Sequence, residues 1–151
     1  MVSTEDIKKL REETGVSIAL CKSALEEAMG DHDKALAILA VKGAASAEKK
    51  ADRTLGAGTV SAYVHSNKTL GAMVSLMCET DFVSKNEDFI SLAYDIAMHT
   101  SAMSPESVEA LLAQPFVKDP SKTIKQLLDS AVQKFGEKVE LSKIERFSTV
   151  E

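Results

Sequence analysis

The residues best suited to act on another molecule are Asp81 and Phe82, an acidic and an aromatic side chain at adjacent positions. A nearly continuous apolar run at 70–77 precedes them, and apolar residues at helical spacing follow from Phe89 onward. These patterns predict a buried strand that ends near Glu79 and a helix that begins a few residues later. A carboxylate beside a ring on the short connection between them would suit a probe pushed into a partner. The alternative is that Phe82 fills the local core and Asp81 caps a turn, and spacing alone favours this alternative.

The connection is expected to be stiff. Ser84 and Glu87 have the Ser-x-x-Glu spacing of a capping box, in which each side chain bonds the other residue's backbone N–H at a helix start. We therefore expect these two residues to fix the start of a helix that runs from about Asn86 to Ser101. A stiff connection favours a probe over a flexible loop.

Other reactive side chains give no sign of an active site. His32, His65 and His99 are scattered without metal-ligand spacing, and His99 follows an apolar helical face, where a core or boundary histidine is the default. Cys21 and Cys78 belong to no CxxC pattern, which favours buried, reduced thiols over a zinc site. Glycine-rich phosphate loops and a nucleophile elbow are absent from the sequence. A binding protein without metal or cofactor therefore fits better than an enzyme.

Composition narrows the classes of partner. The net charge is −5, so basic residues are not in excess for contacts with phosphates, and the aromatic content is 5% without Trp, so few side chains could stack on bases. The minor basic cluster of Lys49, Lys50 and Arg53 has the usual character of a solvated face. No basic, apolar leader opens the sequence, and no apolar run reaches the roughly 18 residues of a membrane span. We expect no direct nucleic-acid partner, no membrane and a reducing cytoplasm.

The first part of the chain, residues 4–42, has the pattern of three short helices. The first ends at Gly15, Ser17 caps the second, Gly30 closes it and Asp31 begins the third. Helices this short are not stable alone, so we expect them to pack as one three-helix unit.

The remainder predicts an α+β core. Small and charged residues at 43–58 indicate a partly helical linker, after which Val60, Ala62 and Val64 alternate with polar residues as in a half-buried strand. The apolar run 70–77 predicts a strand buried on both faces. Periodicity, together with proline or glycine at the ends, predicts the later elements. A short helix starts at 104–106 and is followed by a proline-bracketed loop at 114–120. A helix then begins at Ser121 and ends before Gly136, and a strand covers 139–150 with a bulge between Lys143 and Ile144. Helices over a small antiparallel sheet are the expected layers.

With these residues in place, the chain resembles the elongation factor Ts family, the guanine-nucleotide exchange factors of elongation factor Tu. Three stretches in family order carry the resemblance and together span almost the full length. They are residues 10–15 with 21–25 and 30–31; residues 78–83, which contain the family's Thr-Asp-Phe-Val signature; and residues 97–99 with 114–117 and 120–123.

The resemblance implies a ubiquitin-associated-like helical domain at residues 1–52, a linker at 53–58 and an α+β core at 59–151. It also implies that the signature, Thr80, Asp81, Phe82 and Val83, binds the GTPase domain of elongation factor Tu. Asp81 and Phe82 would enter a cleft and shift the elements that hold Mg²⁺ and the phosphates, so that GDP leaves.

The same resemblance implies a second contact with that GTPase domain, through Arg11, Ile18 and Ala19 of the helical domain and through His99. Ile18-Ala19-Leu20 stands where Met-Met-Asp is common in the family. Long members carry two related core halves and a coiled coil, whereas this chain holds a single half, which points to a homodimer.

Two rival functions come from other classes of protein. One is a ubiquitin-associated-type adaptor that binds ubiquitin-like partners without exchange activity. The other is a thiol-dependent enzyme that uses Cys21 or Cys78.

Overall fold

The computed structural model describes residues 1–150, in which helices accompany a small antiparallel sheet. The α+β class predicted from the sequence is confirmed. None of the helices in this range combines the length and the apolar character that crossing a membrane requires. In chain order the elements are α1 (Thr4–Thr14), α2 (Ile18–Glu27), α3 (His32–Lys49), β1 (Ala57–Val64), β2 (Leu70–Cys78), α4 (Asp81–Ser84), α5 (Glu87–Met103), α6 (Val108–Ala113), β3 (Pro115–Phe116), β4 (Asp119–Thr123), α7 (Ile124–Phe135) and β5 (Glu140–Ser148).

Side-chain caps set the starts of the three N-terminal helices. Ser3 forms a capping box with Asp6 at the start of α1, and Ser17 and Asp31 each accept a backbone N–H in the first turn of α2 and α3. Gly15 ends α1 with φ +70°, a left-handed conformation that glycine adopts without steric cost. The caps predicted at Ser17 and Asp31 and the stop at Gly15 are confirmed.

The three helices share an apolar core of their own, as their short lengths require. Its buried side chains are Leu10, Val16, Cys21, Ala24, Leu25, Ala28, Ala35 and Leu39.

Helix α3 is longer than predicted, because it continues through part of the segment 43–58 that composition assigns to a linker. Beyond its middle it packs on α7, and a side chain at Gly43 would place a Cβ 3.3 Å from the backbone oxygen of Asp129. Strand β1 already begins at Ala57, so only residues 50–56 connect α3 to the sheet. The close helix contact ties the N-terminal helices to the rest of the chain.

Strand β2 is the centre of a three-stranded antiparallel sheet of order β1-β2-β5. Opposite Ser75 and Leu76, strand β5 has one extra residue, Ser142, which makes a β-bulge. The predicted bulge is therefore present, but at Ser142 and not between Lys143 and Ile144.

Helix α5 covers one face of this sheet and creates the main core. Strand β2 contributes Val74, Leu76 and Cys78 to the core, and α5 contributes Phe89 and Ile96, all of them at most 1% exposed. Helix α7 adds Ile124, Leu128 and Val132 to the same core.

The opposite face of the sheet is open, which overturns the prediction that β2 is buried on both faces, whereas β1 is half-buried as predicted. Strand β2 is buried on one face only, and Met73 on the other face is 47% exposed. In β1 the apolar set Val60, Ala62 and Val64 points away from α5, whereas Tyr63 and its polar neighbours lie half-buried beneath that helix. Alternation gives the period of a strand, but it does not reveal which side another element will cover.

Three local boundaries also differ from the sequence prediction. Helix α6 is capped by Ser107 and not by residues 104–106, and α7 is capped by Thr123 and not by Ser121. The segment 114–120, predicted as a loop, contains most of the two-stranded hairpin formed by β3 and β4. Short strands with proline at their ends carry no periodic signal, so the hairpin was not predicted.

Candidate partner-binding site

The tip, defined here as residues 79–84, is the turn between β2 and α5. Asp81–Ser84 form the single-turn helix α4, and Thr80 is its N-cap in an extended conformation. Val83 and Ser84 point into the protein, where they are 5% and 7% exposed, whereas the ring of Phe82 is 88% exposed and Asp81 is also exposed. The interpretation of Phe82 as a plug of the local core is wrong. The single turn of helix α4 instead buries its last two residues, Val83 and Ser84, and leaves Asp81 and Phe82 exposed to solvent.

The capping box predicted for Ser84 and Glu87 does not form. The Ser84 hydroxyl donates to the backbone oxygen of Asp81, at 3.1 Å, and Asn86 caps α5 by accepting the N–H of Asp88 at 2.8 Å. Asn86 outcompetes the predicted pair because its side chain sits at the first non-helical position before α5. The connection is capped as expected, but by different residues.

Glu137 holds the beginning of the tip. Its carboxylate accepts the backbone N–H groups of Glu79, at 3.1 Å, and of Thr80, at 3.0 Å, and it accepts the hydroxyl of Thr80 at 2.7 Å. Glu137 follows Gly136, which ends α7 in a left-handed conformation of φ +70°. The two segments are 58 positions apart in the sequence, and no local pattern predicts that they meet.

The contact is reciprocal, because Glu79 in turn holds the segment after α7. The Glu79 carboxylate accepts the backbone N–H of Lys138 and the guanidinium of Arg53, the latter at 3.3 Å. The Lys138 N–H, followed by Arg53, lowers the pKa of Glu79 below its ordinary value. Arg53, predicted to belong to a solvated basic cluster, pairs instead with Glu79, and no local sequence pattern indicates the roles of Glu137 and Lys138. We call Glu79, Thr80, Glu137 and Lys138 the clasp.

The predicted contact residues of the N-terminal helices lie at the surface. Arg11, Ile18 and Ala19 are exposed, and the apolar side chain of Ile18 is 58% exposed. A lysine from α7 links this region to the start of α5. Lys134 lies against Gly15, where an added Cβ would stand 2.8 Å from the lysine Cε, and its ammonium pairs with Asp88 at 2.7 Å. The N-terminal contact region is thus attached to the helix that follows the tip.

His99 differs from the other predicted site residues because it is fully buried. Its Nε2 bonds the Gln114 side-chain oxygen at 2.9 Å, and its Nδ1 accepts the backbone N–H of Val117 at 3.2 Å. Burial lowers the pKa of His99, which favours the neutral ring, and because Nδ1 accepts the Val117 N–H the proton of that ring lies on Nε2. The structure does not bring His99 to the surface with the tip. It places the ring where it holds the β3–β4 hairpin against α5.

Comparison with known proteins gives a consistent result over nearly the whole chain. A family model described as "Elongation factor TS" matches residues 79–151, from the tip onward. Elongation factor Ts of Acetivibrio thermocellus is 36% identical over 192 aligned positions that cover 97% of this chain and 89% of that protein. The chain belongs to the elongation factor Ts family. Elongation factor Ts of Thermosipho melanesiensis is 34% identical with both chains fully covered, and that of Aquifex aeolicus is 46% identical over 98% of this chain.

These members of the elongation factor Ts family are longer than the present chain. The alignment with the Acetivibrio protein has 192 positions, 41 more than the 151 residues here. The chain spans about half, 53%, of the Aquifex protein. Family membership makes the chain a translation elongation factor and not a catalyst of a chemical reaction.

The two cysteines have the surroundings of structural thiols. Cys21 and Cys78 are both free and buried, as predicted. The Cys78 thiol lies beneath the tip and donates to the backbone oxygen of Thr80 at 3.3 Å. Burial, with a smaller effect from the Glu137 carboxylate, raises the pKa of Cys78, so its reactive thiolate form is disfavoured. These surroundings disfavour the thiol-enzyme alternative.

Proposed function

We propose that this chain promotes the release of GDP from elongation factor Tu in the cytoplasm by inserting Asp81 and Phe82 into the GTPase domain. The observation that carries the proposal is the 88% exposure of the Phe82 ring on a turn that the clasp and two buried residues hold in place. An aromatic ring that a rigid turn keeps exposed to solvent contributes the free energy of its burial only when a partner covers it.

Energetics indicate that the tip acts together with a wider interface. Accelerating GDP release by about four orders of magnitude requires about 5.5 kcal/mol of differential interaction. Burial of one phenylalanine ring contributes about 1.5–3 kcal/mol. Phe82 therefore supplies part of the free energy, and Asp81 with the N-terminal contact supplies the remainder.

The N-terminal contact in this proposal is made by Arg11, Ile18 and Ala19, on helices that form a ubiquitin-associated-like unit ending near residue 52. Ile18 offers an exposed apolar side chain and Arg11 an exposed charge, which suits a surface of mixed polarity. Lys134 lies against Gly15 of this unit and pairs with Asp88 at the start of α5, so one side chain contacts both the unit and the helix that follows the tip.

The proposal is tested by following fluorescent GDP as it leaves elongation factor Tu, with and without the chain. We expect faster release that saturates with chain concentration. Release at the intrinsic rate over the whole concentration range, together with a folded chain, would remove the proposal. A ubiquitin-binding assay on the same protein distinguishes the adaptor alternative.

The charge of Asp81 is tested by Asp81→Asn, which keeps the shape of the side chain. A carboxylate brought near the Mg²⁺ and phosphate region acts by competing for the cation and repelling the phosphates. We expect the maximal GDP-release rate to fall about 10- to 150-fold, since one charged contact contributes on the order of 1.5–3 kcal/mol. The same maximal rate for both proteins would show that Asp81 acts through shape alone.

We also propose that two copies of the chain pair through the open face of the sheet. Val60, Val64, Met73 and Phe147 on that face are each 47–67% exposed. The register of the strands places Lys143 and Glu145, of opposite charge, on the same face. An apolar surface that carries both charges is complementary to itself across a twofold axis. The dimer would supply the second core half.

Phe147→Glu tests the dimer, with Val41→Glu as the matched control because Val41 is an equally exposed apolar residue on α3, at 72%. A carboxylate buried in an apolar interface without a partner is strongly unfavourable, so we expect the dimer dissociation constant to rise at least about tenfold for Phe147→Glu only. Analytical ultracentrifugation over a concentration series measures it. A wild-type chain that sediments as a monomer at all concentrations would contradict the dimer.

A further inference from the structure

Glu137 connects the turn after α7 to the tip, and we infer that it is a positioning residue for nucleotide exchange. Its carboxylate fixes the backbone at Glu79 and Thr80 and so sets the direction in which Asp81 and Phe82 leave the protein. The inference rests on the proposed function, because it assigns a role within the same site.

The position of the acceptor is the first reason. The β1–β2 ladder ends at Cys78, and the β2–β5 ladder ends at Met77, so the N–H groups of Glu79 and Thr80 lie beyond the last paired residues of the sheet. Glu137 accepts both of them, and the Thr80 hydroxyl as well. A carboxylate thus takes the place of a neighbouring strand where the chain changes from β2 to α4.

The second reason is that Glu137 has a rigid support. The N–H of Gly136 bonds the Val132 oxygen at 2.9 Å and closes α7, which is itself packed on α3. Glu79 returns a bond to the Lys138 N–H. The clasp therefore ties the tip to α7 in both directions, and not only to its own flanking strand.

The third reason separates positioning from general stability. The burial of Val83, and the main core beneath it, remain when the Glu137 carboxylate is removed. Polar contacts at a partly exposed site contribute little to global stability, whereas they restrict the orientation of the groups that they join. Loss of Glu137 should therefore leave the fold in place and allow Asp81 and Phe82 to take several orientations.

The experiment compares Glu137→Ala and Glu137→Gln with the control Glu140→Ala, which removes an exposed carboxylate three positions later, on β5. Hydrogen exchange of the Glu79 and Thr80 amides reports the clasp on the protein alone. Release of fluorescent GDP from elongation factor Tu over a range of chain concentrations gives a maximal rate and a half-saturating concentration. Thermal melting reports the fold.

For Glu137→Ala we expect about tenfold faster exchange of the two amides and an about tenfold lower maximal rate of GDP release. The half-saturating concentration should change less than about threefold, since the N-terminal contact is intact. Glu137→Gln should recover most of the rate, because its amide oxygen accepts the same N–H groups. Glu140→Ala should behave like the wild-type chain.

A wild-type maximal rate in Glu137→Ala would overturn the inference and leave the proposed function standing. A wild-type chain that does not accelerate GDP release would overturn both. If Glu137→Ala does not fold, Glu137→Asp, whose shorter side chain withdraws the acceptor from the N–H groups of Glu79 and Thr80 while keeping the charge, decides the matter. An unchanged maximal rate for that variant would likewise overturn the inference.

Discussion

Replacing Phe82 by Ala is expected to abolish most of the exchange activity while leaving the protein folded. The ring is 88% exposed in the free chain, so its removal should change the free energy of unfolding by no more than about 0.5 kcal/mol. In the complex the same ring would be covered, and its loss removes about 1.5–3 kcal/mol of burial. Since 1.36 kcal/mol corresponds to a factor of ten, the rate of GDP release should fall about 10- to 150-fold.

The measurement is GDP release at saturating chain, accompanied by a thermal melt of each protein. Phe82→Leu serves as a control, because it keeps an apolar side chain of smaller volume and should retain an intermediate rate. If Phe82→Ala lowers the melting temperature strongly while its folded fraction exchanges GDP normally, the ring stabilises the fold and does not act on elongation factor Tu.

Phe89→Ala is expected to have the opposite effects, a large loss of stability and a nearly normal rate of GDP release. Phe89 is close to Phe82 in the sequence, since it lies in the first turn of α5. Phe89 is fully buried in the main core and meets the ring of Phe135 edge-on, with centroids 5.9 Å apart. Deleting a buried phenylalanine costs about 3–5 kcal/mol, because the cavity that remains closes only in part. The total stability of a domain is about 5–15 kcal/mol, so this loss is a large share of it.

We expect Phe89→Ala to lower the melting temperature by about 10–20 °C at this chain length. Whatever fraction stays folded should keep a nearly normal rate of GDP release, because Phe89 does not reach the surface. Phe89→Leu should lose much less stability. A melting temperature within about 3 °C of the wild-type value would mean that the core around α5 does not depend on this ring.

The parts of the fold that the sequence predicted are those with local causes. Ser17, Asp31 and Gly15 act within one helical turn of their own positions, and the end of β2 follows from the end of an apolar run. The position of the tip followed in the same way. Its chemistry was also visible, because Asp81 and Phe82 are adjacent in the chain.

The parts that were missed depend on contacts between distant segments. Glu137 meets Thr80 across 57 positions, and no periodicity encodes that meeting. Whether Val60 or Tyr63 is buried depends on which face of the sheet α5 covers, and the alternation of apolar and polar residues in β1 is compatible with either face. For the same reason Phe82 could not be assigned to the surface: a ring on a turn is compatible with either side until the packing of Val83 is known.

The central claim is that the tip and GDP favour different conformations of elongation factor Tu, so that the binding of either one weakens the binding of the other. Coupling between two binding sites is reciprocal, so GDP must weaken the binding of the chain by the same factor by which the chain weakens GDP. The dissociation constant of the chain for elongation factor Tu, measured by calorimetry without nucleotide and with saturating GDP, tests this directly. We predict a dissociation constant that is at least about 100-fold higher with GDP, equivalent to about 2.7 kcal/mol, and a much smaller ratio for Phe82→Ala. Equal dissociation constants with and without GDP would contradict the account.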